Sequence, residues 1–139
     1  MPGKQLHLIA GISAGITAAE FQLRDRSDQE RLCGRIDGGC GGALGALIPD
    51  LIDRPFHPNH RSIGHSVLGT LIICGCAWMI LSLLVDEWQL SAEIAEENGH
   101  AWLKYFYYFL AGFSWGVIAG QVSHLALDAF TPKGLPFVA

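Results

Sequence analysis

Apolar and polar positions fall in long blocks along this chain. Gln5 to Ala19 is apolar apart from His7 and small hydroxyl residues. Its Ala10, Gly11, Ala14, Gly15 and Ala18 are the small side chains that let helices approach closely inside a membrane. Glu20 to Asp37 interleaves charges of both signs and reads as a solvated loop or short surface helix. Gly38 to Pro49 holds five glycines in twelve positions. At about 1.5 Å per residue it is too short to cross a bilayer core of about 30 Å. It is therefore either a short buried helix or the end of a longer one that begins in the charged stretch. Ser66 to Val85 is free of charge and long enough for one span. Asp86 to His100 is acidic and reads as solvated, with Trp88 and Trp102 placed as interfacial aromatics. Tyr105 to Leu127 is the second long apolar run, and Thr131-Pro-Lys-Gly-Leu-Pro136 stops it. The pattern predicts an all-α fold: a small integral membrane helical bundle of about four apolar elements, two long and two short or irregular, in a single domain over residues 1–139.

Between the second and third elements lies a dense polar stretch, Leu47 to Ser66. It packs Asp50, Asp53, His57, His60, His65, Arg54 and Arg61 into twenty residues. Pro49, Pro55 and Pro58 argue against a continuous helix through it. A polar loop between greasy elements is where such a chain would place chemistry. His124 and Asp128, at the end of the last apolar run, share one helix face at i, i+4 spacing.

In an up-down bundle His7 begins the first element, Asp50 ends the second, His65 begins the third, and His124 and Asp128 end the fourth. All then meet at one end, with both charged loops at the other. An imidazole and carboxylate set of this kind suits Zn²⁺ or a similar transition metal, with Mn²⁺ as the alternative, better than the all-oxygen preferences of Mg²⁺ and Ca²⁺. The expected metal ligands are His7, Asp50, His65, His124 and Asp128, holding one or two ions. Asp53 and His60 are candidates for base or outer partner and Arg61 for phosphate contact, whereas His57 and His100 read as solvated loop residues.

Composition narrows the field further. Half of the 139 residues are apolar and 16% are charged, against about 25% charged in ordinary soluble domains. A net charge of -4 gives no basic footprint for nucleic acid. The start of the chain lacks the pattern of a cleavable signal peptide. Cys74 and Cys76 point about 200° apart on a helix, and Cys33 and Cys40 form no Cys-x-x-Cys pair, so the four cysteines read as small apolar fillers or free thiols. Lysines and arginines divide four (Lys4, Arg54, Arg61, Lys133) against five (Arg24, Arg26, Arg31, Arg35, Lys104) between the two ends, which sets no orientation.

The blocks His7-Leu-Ile-Ala-Gly11, Leu47-Ile-Pro-Asp-Leu-Ile-Asp53, His60-Arg-Ser-Ile-Gly-His-Ser66 and Gly120-Gln-Val-Ser-His-Leu-Ala-Leu-Asp-Ala-Phe-Thr-Pro-Lys-Gly134 resemble the YdjM-type family of membrane-bound metal-dependent hydrolases. That family is also described as LexA-binding and associated with the inner membrane. More distantly, the order of His and Asp residues is similar to part of the site of zinc-dependent phospholipase C, with fewer histidines near the C-terminus. The resemblance implies a metal-dependent hydrolase of the bacterial inner membrane, acting on a phosphoester or phospholipid, with membrane lipid as its partner and no nucleic acid. Short first and second elements would favour a homo-oligomer. Two alternatives remain at this point: a non-enzymatic membrane protein with a structural polar or metal cluster, and a membrane subunit that conducts ions or protons.

Overall fold

Four-residue spacing of small side chains dictates how the helices meet. In the computed structural model, which describes residues 4–52 and 66–130, four helices follow in order: α1 (Lys4–Gln22), α2 (Asp28–Ile52), α3 (Val67–Glu97) and α4 (Ala101–Ala129). Three of them carry a stripe at i, i+4: Gly11, Gly15 and Ala19 on α1; Gly34, Gly38, Gly42 and Ala46 on α2; Gly112, Gly116 and Gly120 on α4. All ten residues are buried.

The stripes interlock backbone to backbone. A Cβ added at Gly116 would come to 2.9 Å from the Gly38 carbonyl carbon, and one at Gly120 to 2.8 Å from that of Gly42. The pairs Gly34–Gly112, Gly38–Gly116 and Gly42–Gly120 keep a constant offset, so α2 and α4 run parallel and in register. Gly11 against Gly42 and Gly15 against Gly38 make α1 antiparallel to α2. Such close approach replaces hydrophobic burial as the source of helix association where the surroundings are as apolar as the side chains.

α3 packs chiefly on α4. It leaves Leu71, Ile72, Trp78, Met79, Ile80 and Leu83 each more than half exposed. α3 and α4 are both long and apolar enough to cross a membrane, and an apolar face this continuous is a lipid-facing one.

Two sequence expectations are corrected here. The charged stretch from Glu20 to Asp37 is neither loop nor short surface helix: it contains the end of α1, a turn, and the first turns of α2. The start of α2 is fixed by a capping box. The Glu30 carboxylate accepts from the Ser27 backbone N–H (2.9 Å) and hydroxyl (2.7 Å). The glycine-rich run is thus the second half of a 25-residue helix, and no short element exists among the described residues. Asp86 to Glu97 continues α3 beyond its apolar part. That helix ends at Glu97, and Gly99, two residues on, has the positive φ of 74° that lets the chain turn. α2 ends within the proline-containing stretch, at Ile52, three residues past Pro49. Pro49 lies buried within the helix, near the end, where the missing N–H costs a single helical hydrogen bond.

The end carrying the two helix-helix turns is tied by ion pairs. Lys104 reaches Glu30 (2.8 Å) and Glu96 (2.6 Å), and Arg26 reaches Glu93 (2.7 Å). Arg35 and Arg31 both hold Glu20. Hydrogen bonds from Arg35 and then Arg31 lower the Glu20 carboxyl to about 2, from a usual value of 4.5. A lowered carboxyl stabilises the fold above its unfolded value and loses that effect as pH falls towards its folded one. Wild type should therefore be more stable than Glu20→Gln at neutral pH, with the difference shrinking from about pH 4.5 and gone near pH 2. Thermal unfolding of both proteins in detergent across this range checks it, and a pH-independent difference would refute it.

Candidate metal centre

Each stripe of small residues ends, one step further along, in a polar side chain. On α1 the step before Gly11 is His7; on α2 the step after Ala46 is Asp50; on α4 the steps after Gly120 are His124 and Asp128. Because α1 runs against α2 and α4, all four arrive at the same end of the bundle. The glycines thus do more than pack helices: they bring the backbones close enough for short side chains from three helices to meet.

The meeting is close and buried. His7 is 5% exposed, His124 1% and Asp128 0%. Asp50 stands at the more open edge, its side chain 36% exposed. His7 Nε2 lies 3.5 Å from Asp128 Oδ1. His124 Nε2 lies 3.7 Å from Asp128 Oδ2 and 3.8 Å from Asp50 Oδ1. The two imidazoles stack, with centroids 4.0 Å apart and planes inclined by 23°. Donor atoms of His7, His124 and Asp128 all fall within 4.8 Å of one another.

His124 is oriented from behind. Its Nδ1 sits 2.5 Å from the Ala46 carbonyl oxygen. A carbonyl only accepts, so Nδ1 carries the proton and donates it. In the neutral ring Nε2 is then an acceptor, and it faces the carboxylates of Asp128 and Asp50. A cation relieves an arrangement of acceptors aimed at one another. Donation of the second ring N–H to a backbone carbonyl is also how metal-ligating histidines are commonly held.

The separations point the same way. They exceed the roughly 2.7–3.2 Å of an N–H···O hydrogen bond. Neighbouring ligands around a tetrahedral zinc ion, with bonds near 2.0–2.2 Å, stand about 3.3–3.5 Å apart. His7 Nδ1 adds a buried polar atom with no hydrogen-bond partner among the described residues. The donor set and its spacing therefore fit a divalent transition metal.

Of the residues that the sequence singles out, the structure brings His7, Asp50, His124 and Asp128 together. His65, Asp53, His57, His60, Arg54 and Arg61 lie outside the described residues. His100 caps the start of α4 at the opposite end. The sequence reading passed over Ala46, whose carbonyl orients His124, and the shared four-residue register. That register was visible in the spacing of Gly112, Gly116, Gly120, His124 and Asp128.

Fold and site together define a small all-α membrane bundle with a buried His/Asp cluster at one end. The chain belongs to the YdjM inner membrane protein family, whose model matches residues 1–139. No curated protein and no solved structure matches it, so the distant likeness to zinc-dependent phospholipase C gains no support.

Proposed function

We propose that this protein is a metal-dependent hydrolase of the bacterial inner membrane that cleaves the phosphoester of a phospholipid. The observation that carries the reading is the facing of His7 Nε2 and His124 Nε2 to the Asp128 and Asp50 carboxylates at 3.5–3.8 Å, with His124 Nδ1 tied to Ala46. His7, His124, Asp128 and Asp50 would hold the metal, zinc in the first instance and manganese as the alternative. When bound, such an ion supplies Lewis-acid chemistry, acidifying water and polarising a phosphoryl oxygen. Ala46 and the stacked rings keep the donors oriented, and the glycine stripes exclude water from the side facing the bundle. Asp50, at the open edge, marks where substrate would enter. His65 as a ligand, Asp53 and His60 as base or outer partner, and Arg61 as phosphate contact keep the roles that sequence assigns them.

A phospholipid substrate is favoured by position. The cluster lies at one end of helices long enough to cross the bilayer, where lipid phosphates also lie. The test is hydrolysis of phosphomonoester, phosphodiester and glycerophospholipid substrates by detergent-purified protein loaded with Zn²⁺ or Mn²⁺. Release of phosphate or a phospho-headgroup should stop with chelator and in His124→Ala. Equal turnover in the variant, or none on any phosphoester after loading, would overturn the reading.

A further inference from the structure

The two imidazoles are stacked, and stacked rings do not share one ion easily. A ring nitrogen offers its lone pair in the plane of the ring, and a bound ion sits about 2.0–2.1 Å out along it. The planes of His7 and His124 are inclined by only 23° with centroids 4.0 Å apart. Planes so nearly parallel do not meet within that reach, so an ion well placed for one Nε2 lies well out of plane for the other.

Asp128 answers this geometry. Its two oxygens face different histidines: Oδ1 stands 3.5 Å from His7 Nε2, and Oδ2 stands 3.7 Å from His124 Nε2. Asp50 Oδ1 adds a further oxygen on the His124 side only, at 3.8 Å. The pattern is of two half-sites, His7 with Asp128 Oδ1, and His124 with Asp128 Oδ2 and Asp50, joined through one carboxylate.

We infer that Asp128 is a bridging ligand and that the cluster holds two divalent ions, one in the plane of each histidine. The inference rests on the metal-dependent reading above and deepens it. Two ions are suited to a phosphoester because they can neutralise both the attacking and the leaving oxygen of an in-line displacement. Among the described residues the half-sites are unequal: His124 has Asp50 and the Ala46 anchor, whereas His7 Nδ1 has no hydrogen-bond partner there.

The experiment is loading of metal-stripped, detergent-purified full-length protein with Mn²⁺, read by elemental mass spectrometry and electron paramagnetic resonance. Wild type should bind two ions per chain and give the spectrum of an exchange-coupled pair. His7→Ala should fall to one ion with an uncoupled spectrum. His7→Gln, which retains a polar side chain in the buried position, should do the same should the alanine variant fail to fold. One ion per chain in wild type, uncoupled at saturating Mn²⁺, would overturn the bridge and leave the metal-dependent reading standing. No bound Mn²⁺ at any loading would overturn both.

Discussion

Gly42→Val is expected to separate α1 from α2 and α4, and to break up the His/Asp cluster with them. Gly42 is the crossing point of the bundle. A side chain there would meet the Gly11 carbonyl carbon at 2.9 Å and the Gly15 Cα at 3.1 Å, while the Gly42 backbone is itself what a Cβ at Gly120 would strike. These neighbours are backbone atoms, which cannot rotate aside as the end of a side chain can. Overpacking of well-filled interiors costs typically 1–3 kcal/mol, and a side chain driven into the backbone of α1 at both Gly11 and Gly15 should cost about 3 kcal/mol. Gly75→Val supplies the control, because a Cβ at Gly75 meets nothing within 4 Å. It should change stability by no more than about 0.5 kcal/mol. Thermal midpoints of both variants in the same detergent decide the matter. Similar shifts in the two would mean that the glycine contacts do not hold the bundle.

Asp128→Asn should have the largest effect on metal binding. The substitution keeps the shape of the side chain and removes the charge facing both histidines. Outer-shell partners of metal sites cost about 10–100-fold in affinity when lost, so a carboxylate that faces both imidazoles should cost more than about 100-fold. Stability gives an independent readout. A ligand that binds only the folded state adds about 2.7 kcal/mol at 100 times its dissociation constant. Wild type should therefore gain thermal stability as Zn²⁺ is added, and Asp128→Asn should not at the same concentrations. An equal gain in both proteins would remove Asp128 from the site.

Much of this arrangement is written in the sequence. The apolar blocks mark out the helices, and connectivity in an antiparallel bundle sends His7, Asp50, His124 and Asp128 to one end, where the structure brings them together. What the blocks hide is where helices begin and end. Charge alternation from Glu20 to Asp37 suggests solvent, yet Ser27 and Glu30 form a capping box that launches a helix through it. The acidic run after Asp86 likewise belongs to α3, because its small apolar residues keep one face packed: Ala92 and Ala95 are buried, Ala92 against Leu23 and Tyr108. The local reading of Gly38 to Pro49, as a short buried helix or the end of a longer one, did not reveal its partners. Gly34, Gly38 and Gly42 acquire meaning only beside Gly112, Gly116 and Gly120, far away in sequence. The tautomer of His124 is equally non-local, being set by a carbonyl 78 positions earlier.

The glycine column and the cluster are one design seen at two heights. Close backbone approach along the column makes the top of the bundle narrow enough for histidine and aspartate to touch across three helices. A column of larger residues would hold the same side chains too far apart to share a cation. On the proposed metal-dependent reading, mutations deep in the bundle should accordingly abolish metal binding without touching His7, Asp50, His124 or Asp128.

The most direct measurement is the metal content of detergent-purified protein by elemental mass spectrometry, wild type beside His124→Ala and Asp50→Ala. At least one zinc or manganese per chain is expected in wild type, with sharp loss in His124→Ala and a smaller loss in Asp50→Ala, whose carboxylate lies at the open edge. Wild type without bound metal after reloading, or metal retained in full by His124→Ala, would contradict the account.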